Sequence, residues 1–120
     1  MKQTKGKLKI GIVGCGAIGS RLAKAVTEDF SEKAELTGLN DIDIEKAYKL
    51  SSDLKKKNIV ALSLEDLIKK CSLVIEAASA KVSKSIAEAA IGSSRDVMIM
   101  SVGGMLDAQD VFKSAEEKKC

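Results

Sequence analysis

The sequence predicts a doubly wound α/β domain. Short apolar runs alternate with longer segments of helical period, a glycine-rich turn joins the first such run to the first helical segment, and one later run is apolar almost throughout. Five strands separated by helices call for a parallel sheet, because each right-handed crossover must return the chain beside an earlier strand. Helices then cover both faces, and the near-continuous apolar run at 72–78 is what a strand buried on both sides requires. At 120 residues the chain has the length of one domain.

Leu8, Ile10, Ile12 and Val13 make the first strand. Ile18, Leu22, Val26 and Phe30 recur every fourth residue, which predicts the buried face of a first helix. ELTGL at 35–39 is the second strand, followed by a helix whose face reads Ile44, Ala47, Tyr48, Ser51 and Leu54, with Asp43 as its N-cap. NIVAL at 58–62 is expected as a third strand. SLED at 63–66 then has the Ser-x-x-Asp form of a capping box before a short helix carrying Leu67 and Ile68. SLVIEAA at 72–78 is the fourth strand, and Val82, Ile86, Ala89 and Ala90 mark a helix ending near Gly92. DVMIMSV at 96–102 supplies a fifth strand, and Asp107 caps a last helix through Val111 and Phe112.

Composition removes several classes of function. Lys and Arg number 20 against 17 Asp and Glu, and the net charge of +3 is scattered along the chain. No basic arm or stripe suits a nucleic acid. KKK at 55–57 and EEKK at 116–119 read as solvated helix faces or ends. No apolar run reaches about 18 residues, and MKQTKGKLK at the start lacks the apolar core of a signal peptide, so a soluble cytoplasmic protein without membrane contact is expected. Cys15, Cys71 and Cys120 are odd in number and far apart, which fits reduced thiols and implies no metal site. There is no His.

The turn at 14–19, GCGAIG, leaves a strand and enters a helix inside the first βαβ unit. That context turns a weak GxGxxG signal into a Rossmann dinucleotide fingerprint. Gly14 permits the tight turn, Gly16 removes a side chain that would block a pyrophosphate, and Gly19 lets helix and strand lie close. Free N–H groups and the positive end of the helix dipole then face the phosphates. An acidic residue is expected roughly 20 residues on, at the tip of the second strand, to accept hydrogen bonds from the adenosine ribose. Asp41 occupies that place, and because Asp43 takes the cap, Asp41 is expected to stand free. Its carboxylate repels a 2′-phosphate, and Ile42 follows where an Arg would favour NADP, so NAD is preferred, with Lys46 able to soften the preference. The lack of GxxxxGK[ST] excludes a P-loop.

EAAS at 76–79 ends the fourth strand on the same sheet edge, where small residues admit close backbone approach to the nicotinamide half; a plain small-residue strand end is the alternative. SVGGM at 101–105 ends the fifth strand, where a second close approach and an ordinary turn are equally open. Glu76 is expected to be held by backbone donors rather than to act as a catalytic carboxylate. Cys15 is expected to pack beneath the cofactor rather than react.

KIGIVGCGAIG, VIEAAS and IMSVGGM together resemble the N-terminal half of the archaeal and bacterial L-aspartate dehydrogenases, over essentially the whole chain. The resemblance implies oxidation of L-aspartate to iminoaspartate with NAD or NADP, in nicotinamide cofactor biosynthesis. By position it implies that Gly14, Cys15, Gly16, Ala17, Ile18 and Gly19 bind the pyrophosphate and Asp41 the adenosine ribose. It puts Ala77, Ala78 and Ser79 at the nicotinamide ribose, and Ser101, Val102, Gly103 and Gly104 at the nicotinamide end. The family usually has SVGAL where this chain has SVGGM, so Gly104 replaces an Ala. Family members also carry a second domain with the aspartate-binding surface and a catalytic His, which implies that these 120 residues are the cofactor-binding half and are inactive alone. An exposed sheet edge beside the fifth strand would make the chain a homo-oligomer through residues 96–120, unless the last helix covers that edge. Homoserine dehydrogenase and dihydrodipicolinate reductase relatives share the fold, and a stand-alone NAD-sensing module stays open. The glucose–fructose oxidoreductase group would show EKP near the fifth strand, which this chain lacks.

Overall fold

Residues 6–101 and 109–120 are described by the structure, a computed structural model. Alternation along the first strand decides where the core lies. In β1 (Leu8–Val13), Ile10 and Ile12 join a buried cluster with Ala23 and Val26 of α1 (Ala17–Glu28) and with Ala47 and Leu50 of α2 (Ile44–Asp53). Val13 joins a second cluster with Leu67 and Ile68 of α3 (Leu64–Lys69) and Ile86 and Ala90 of α4 (Ala80–Gly92). Two cores on opposite faces of one sheet follow from the two-residue period of the strand.

The sheet adds β2 (Ala34–Asn40), β3 (Leu73–Glu76) and β4 (Asp96–Ile99), in the order β2-β1-β3-β4 with every pairing parallel. The expected doubly wound α/β architecture is therefore present. α5 (Gln109–Lys118) packs on the outside of α4, where Val111 is buried with Ala87 and Ile91 against Val97 and Ile99. Between Ile10 and Gly11 the β1–β2 register shifts by one residue, and Thr37 uses the slack to donate its hydroxyl to the Ile10 carbonyl at 3.3 Å. Among the described residues no helix is long and apolar enough to cross a membrane.

Several elements differ from expectation. NIVAL is not a strand of the sheet: only Val60 bridges Leu39, with Leu39 N–H donating to the Ile59 carbonyl and Ala61 N–H to that of Leu39, each at 2.7 Å. Asn58 sits in the left-handed region and Ser63 already caps α3, so few residues remain to run beside β2. The buried stripe of α1 is Gly19, Ala23 and Val26, while Ile18 and Phe30 are more than half exposed. A strict four-residue spacing drifts round the helix, and the true stripe is built from small residues because α1 lies tight against the sheet. In α2, Leu50 is buried in place of Tyr48, and in α4 Val82 turns outward while Ser83, Ala87 and Ile91 join Ile86 and Ala90 inside. β4 ends at Ile99 and lies at the sheet edge, so Met98 and Met100 are exposed. The proposed continuation of this strand into Val102 and the cap at Asp107 lie outside the described residues.

The caps of the middle helices match expectation. Asp43 accepts from Glu45 N–H at 3.2 Å and Ser63 Oγ from Asp66 N–H at 3.1 Å.

Candidate functional site

The glycine turn sits between β1 and α1, and each of its glycines answers a different constraint. Gly14 has φ of +105°, and its N–H donates to the Asn40 carbonyl at 2.8 Å, so the turn is tied to the end of β2. A Cβ there would lie 2.6 Å from the Ala77 carbonyl carbon and oxygen, and one on Gly19 would lie 1.7 Å from the Gly14 oxygen. A Cβ on Gly16 would meet nothing within 4 Å. Gly14 and Gly19 are therefore demanded by packing, whereas Gly16 faces open space.

That space is a cleft of about 980 Å³ along the edge formed by the C-terminal ends of the strands. Gly14, Gly16, Asp41, Ala77, Ala78 and Ser79 line it together, joining residues that lie far apart in the chain. Cys15 is buried behind the turn, Gly19 lies beneath it, and Ala17 and Ile18 are exposed at the start of α1. α1 and α4, which follow the two central strands, begin with no side-chain cap and with no acidic residue in the first turn. Their first N–H groups have no side-chain cap, and the positive ends of both dipoles favour an anion. The edge thus offers N–H donors at two helix starts and, at Gly16, a position without a side chain.

Asp41 does not stand free. Its Oδ2 accepts from Cys15 N–H at 2.7 Å and its Oδ1 from Asp43 N–H at 2.8 Å, so the half-buried carboxylate clamps the glycine turn to the end of β2. Each oxygen keeps a lone pair for a further donor. Ile42 beside it is fully exposed, and Lys46 lines the same cleft. Cys15 packs inward with its Sγ 3.7 Å from the Asn40 carbonyl, and its thiol is pushed up to about 12, chiefly by burial and then by the Asp41 charge. It is a protonated packing group at neutral pH rather than a nucleophile.

Glu76 is wholly buried at the end of β3 and is held by donors from two segments, as its position in the sequence suggested. Ala78 N–H and the Ser101 hydroxyl donate to Oε2, both at 2.8 Å, and Ser101 N–H donates to Oε1 at 3.0 Å. Ser101 is thereby joined to the segment after β3. Val102, Gly103 and Gly104 lie outside the described residues. Sequence reasoning missed Asn40, whose amide donates to the Ala61 carbonyl at 2.9 Å while its own carbonyl receives Gly14 N–H. It also missed Leu62, Leu64 and Lys81 in the cleft wall. The Asn preceding the acidic residue was the available signal for the first; the wall residues lie on segments read only for their caps and periodicity. Among the described residues no group of three or more His, Cys, Asp or Glu is placed to hold a metal ion.

The chain is similar to known proteins in sequence and in fold. Residues 14–120 match the family model described as homoserine dehydrogenase, NAD binding domain. The L-aspartate dehydrogenase of Methanosarcina barkeri is 36% identical over 116 residues, which span 94% of this chain and 42% of that protein. That of Methanocaldococcus jannaschii is 43% identical over 107 residues, spanning 88% and 39%. The chain thus spans about two fifths of the length of these curated relatives. The resemblance read from GCGAIG, EAAS and SVGGM is borne out. Among solved structures, the UDP-N-acetylglucosamine 3-dehydrogenase of Acidithiobacillus ferrooxidans superposes with a TM-score of 0.81 at 18% identity, covering 94% of this chain and 35% of that one, a likeness of fold.

Proposed function

This chain belongs to the homoserine dehydrogenase NAD-binding domain family, and we propose that it forms the cofactor-binding part of an amino-acid dehydrogenase of the L-aspartate dehydrogenase type. Its cofactor is NAD, which when bound supplies the hydride acceptor for oxidation at a carbon bearing an amino group. The observation that carries the reading is the combination at one cleft of an unobstructed Gly16, the uncapped start of α1 and the Asp41 carboxylate. In this reading the N–H groups at the starts of α1 and α4 bind the diphosphate, and Asp41 accepts from the adenosine ribose hydroxyls. Ala77, Ala78 and Ser79 leave room for the nicotinamide ribose, and Ser101 with Val102, Gly103 and Gly104 borders the nicotinamide end. The substrate, L-aspartate, the product iminoaspartate, and a place in nicotinamide cofactor biosynthesis are taken from the similarity to the relatives. A cytoplasmic setting suits the three free cysteines. No residue of this chain is assigned a catalytic role.

Asp41 also makes the reading testable through cofactor choice. Its charge opposes a 2′-phosphate, with Lys46 on the cleft wall as the counterweight that makes NADP a usable second cofactor. Asp41→Ala is expected to narrow or reverse the preference for NAD by roughly 1 to 3 kcal/mol, the scale of a charged hydrogen bond. Calorimetric titration of both cofactors reads this, with Asp41→Asn as a companion that keeps an acceptor for a backbone N–H. Equal affinities for the two cofactors in parent and variants alike would remove Asp41 from the ribose.

Self-association through residues 96–120 belongs to the same reading. β4 is an edge strand with Met98 and Met100 exposed, although Val97 and Ile99 pack on the other face against a cluster of α4 and α5 residues. Sedimentation at rising concentration is expected to show a dimer or larger species; a single monomer at high concentration rejects it.

A further inference from the structure

We propose that Glu76 is a positioning residue for the nicotinamide half of the cofactor, acting as a clasp between the segment after β3 and the segment after β4. The inference rests on the dinucleotide reading above. Glu76 is wholly buried next to Val74 and Ile75, in a strand where an aliphatic residue would suit the core. Among the described residues the ion pairs are Lys49–Asp53 and Lys84–Asp110, so no cation accompanies this carboxylate. A buried charge without a counterion is costly and persists only where hydrogen bonds replace its water. Here three neutral donors do so: Ala78 N–H, Ser101 N–H and the Ser101 hydroxyl.

The donor set explains why the residue is Glu. An aliphatic side chain would leave the N–H groups of Ala78 and Ser101 without these acceptors. Gln offers one acceptor oxygen, and its NH2 would confront a donor on the other side. Only a carboxylate accepts all three donors at once. The Glu76 carbonyl also accepts Met100 N–H at 3.0 Å, so backbone and side chain of one residue hold the two strand ends together. The consequence reaches the cleft through Ala78, which lines it, and through the packing of Gly14 against the backbone of Ala77 and Ala78. Glu76 itself does not line the cleft. Its effect falls first on the side formed by residues 77–79, opposite the Asp41 end of the reading.

The test separates the two halves of the ligand. Glu76→Gln in the full chain is titrated calorimetrically with NADH and with ADP, which lacks both the nicotinamide and its ribose, and the fluorescence of NADH is recorded on binding. The expected result is NADH affinity lowered about tenfold with the emission change of bound nicotinamide diminished, while ADP affinity stays within about twofold of the parent. Equal losses for both ligands mean a merely structural role and overturn the clasp, as does no loss for either. Failure of the parent chain to bind either ligand overturns the dinucleotide reading, and the clasp with it. Ser101→Ala, which removes one donor and keeps its N–H, is expected to weaken NADH in the same direction by a smaller factor, and an unchanged affinity there also overturns the clasp. It carries the test should Glu76→Gln not fold. In the double variant the losses overlap because both substitutions break one shared bond; full additivity would mean that Glu76 and Ser101 act independently.

Discussion

Gly19→Ala is expected to lower the stability of the domain by roughly 3 kcal/mol or more, the upper range for forcing extra volume into a packed site. The added methyl would sit 1.7 Å from the Gly14 carbonyl oxygen and 2.8 Å from its carbon, well inside any contact that atoms tolerate. The obstacle is backbone, so no rotamer change relieves it. Nor can the Gly14 carbonyl retreat easily. Gly14 is held by its N–H bond to Asn40 and has φ of +105°, and its own α-carbon already packs against the Ala77 peptide. α1 must therefore move off the sheet and lose part of the burial of Ala23 and Val26, which share a core with Ile10 and Ile12. In a chain of this length the expected loss corresponds to a fall in melting temperature on the order of 10 to 20 °C, measurable by circular dichroism. A variant melting within about 2 °C of the parent would show that turn and helix have slack.

What the sequence showed of this fold was what local chemistry decides. Asp43 and Ser63 could be named as caps because a cap acts within three residues of itself. The succession of strand and helix was largely legible from period, and the parallel pairing followed from the handedness of crossovers, whereas the order of the strands was not read. The run at 58–62 was not legible in the same way. Its apolar residues are needed because Ile59 and Ala61 are buried, but burial and ladder pairing are separate matters, and only Val60 reaches a bridge. The face of α1 was misread because Gly19 and Ala23 carry little hydrophobic weight, although close packing selects such residues.

The site divides along the same line. Gly14, Gly16, Gly19 and Asp41 stood out because their spacing is fixed by a short motif, and the structure brings the turn and the carboxylate to one cleft edge. The contacts of Asp41 with Cys15 and Asp43 were hidden, since the first depends on where β2 ends relative to β1. The Asn40 link to Gly14 and Ala61 was hidden for the same reason. Glu76 was the exception among long-range contacts. A lone acid at the end of an apolar strand needs backbone donors, although the sequence did not show that Ser101 supplies two of the three bonds.

Gly16→Val is expected to do the opposite of Gly19→Ala: to fold as the parent does and to lose the dinucleotide. Gly16 has φ of −83° and ψ of −152°, an extended conformation open to side-chain-bearing residues, and a Cβ there meets nothing within 4 Å. The stability change is therefore expected to stay within about 0.5 to 1 kcal/mol, as for other exposed positions. The space the valine would fill belongs to the cleft, directly before the uncapped start of α1. An anion can use those N–H groups only by approaching them closely, and two methyl groups in the way hold it off and screen the donors. The expected loss in NADH affinity is about 100-fold or greater, equivalent to roughly 3 kcal/mol, while the melting curve stays near that of the parent. Fluorescence titration beside a thermal melt reads both quantities on one sample. Unchanged NADH binding by a folded variant would mean that GCGAIG only turns the chain. A loss of folding would mean that the open position is needed by the protein itself and not by its ligand.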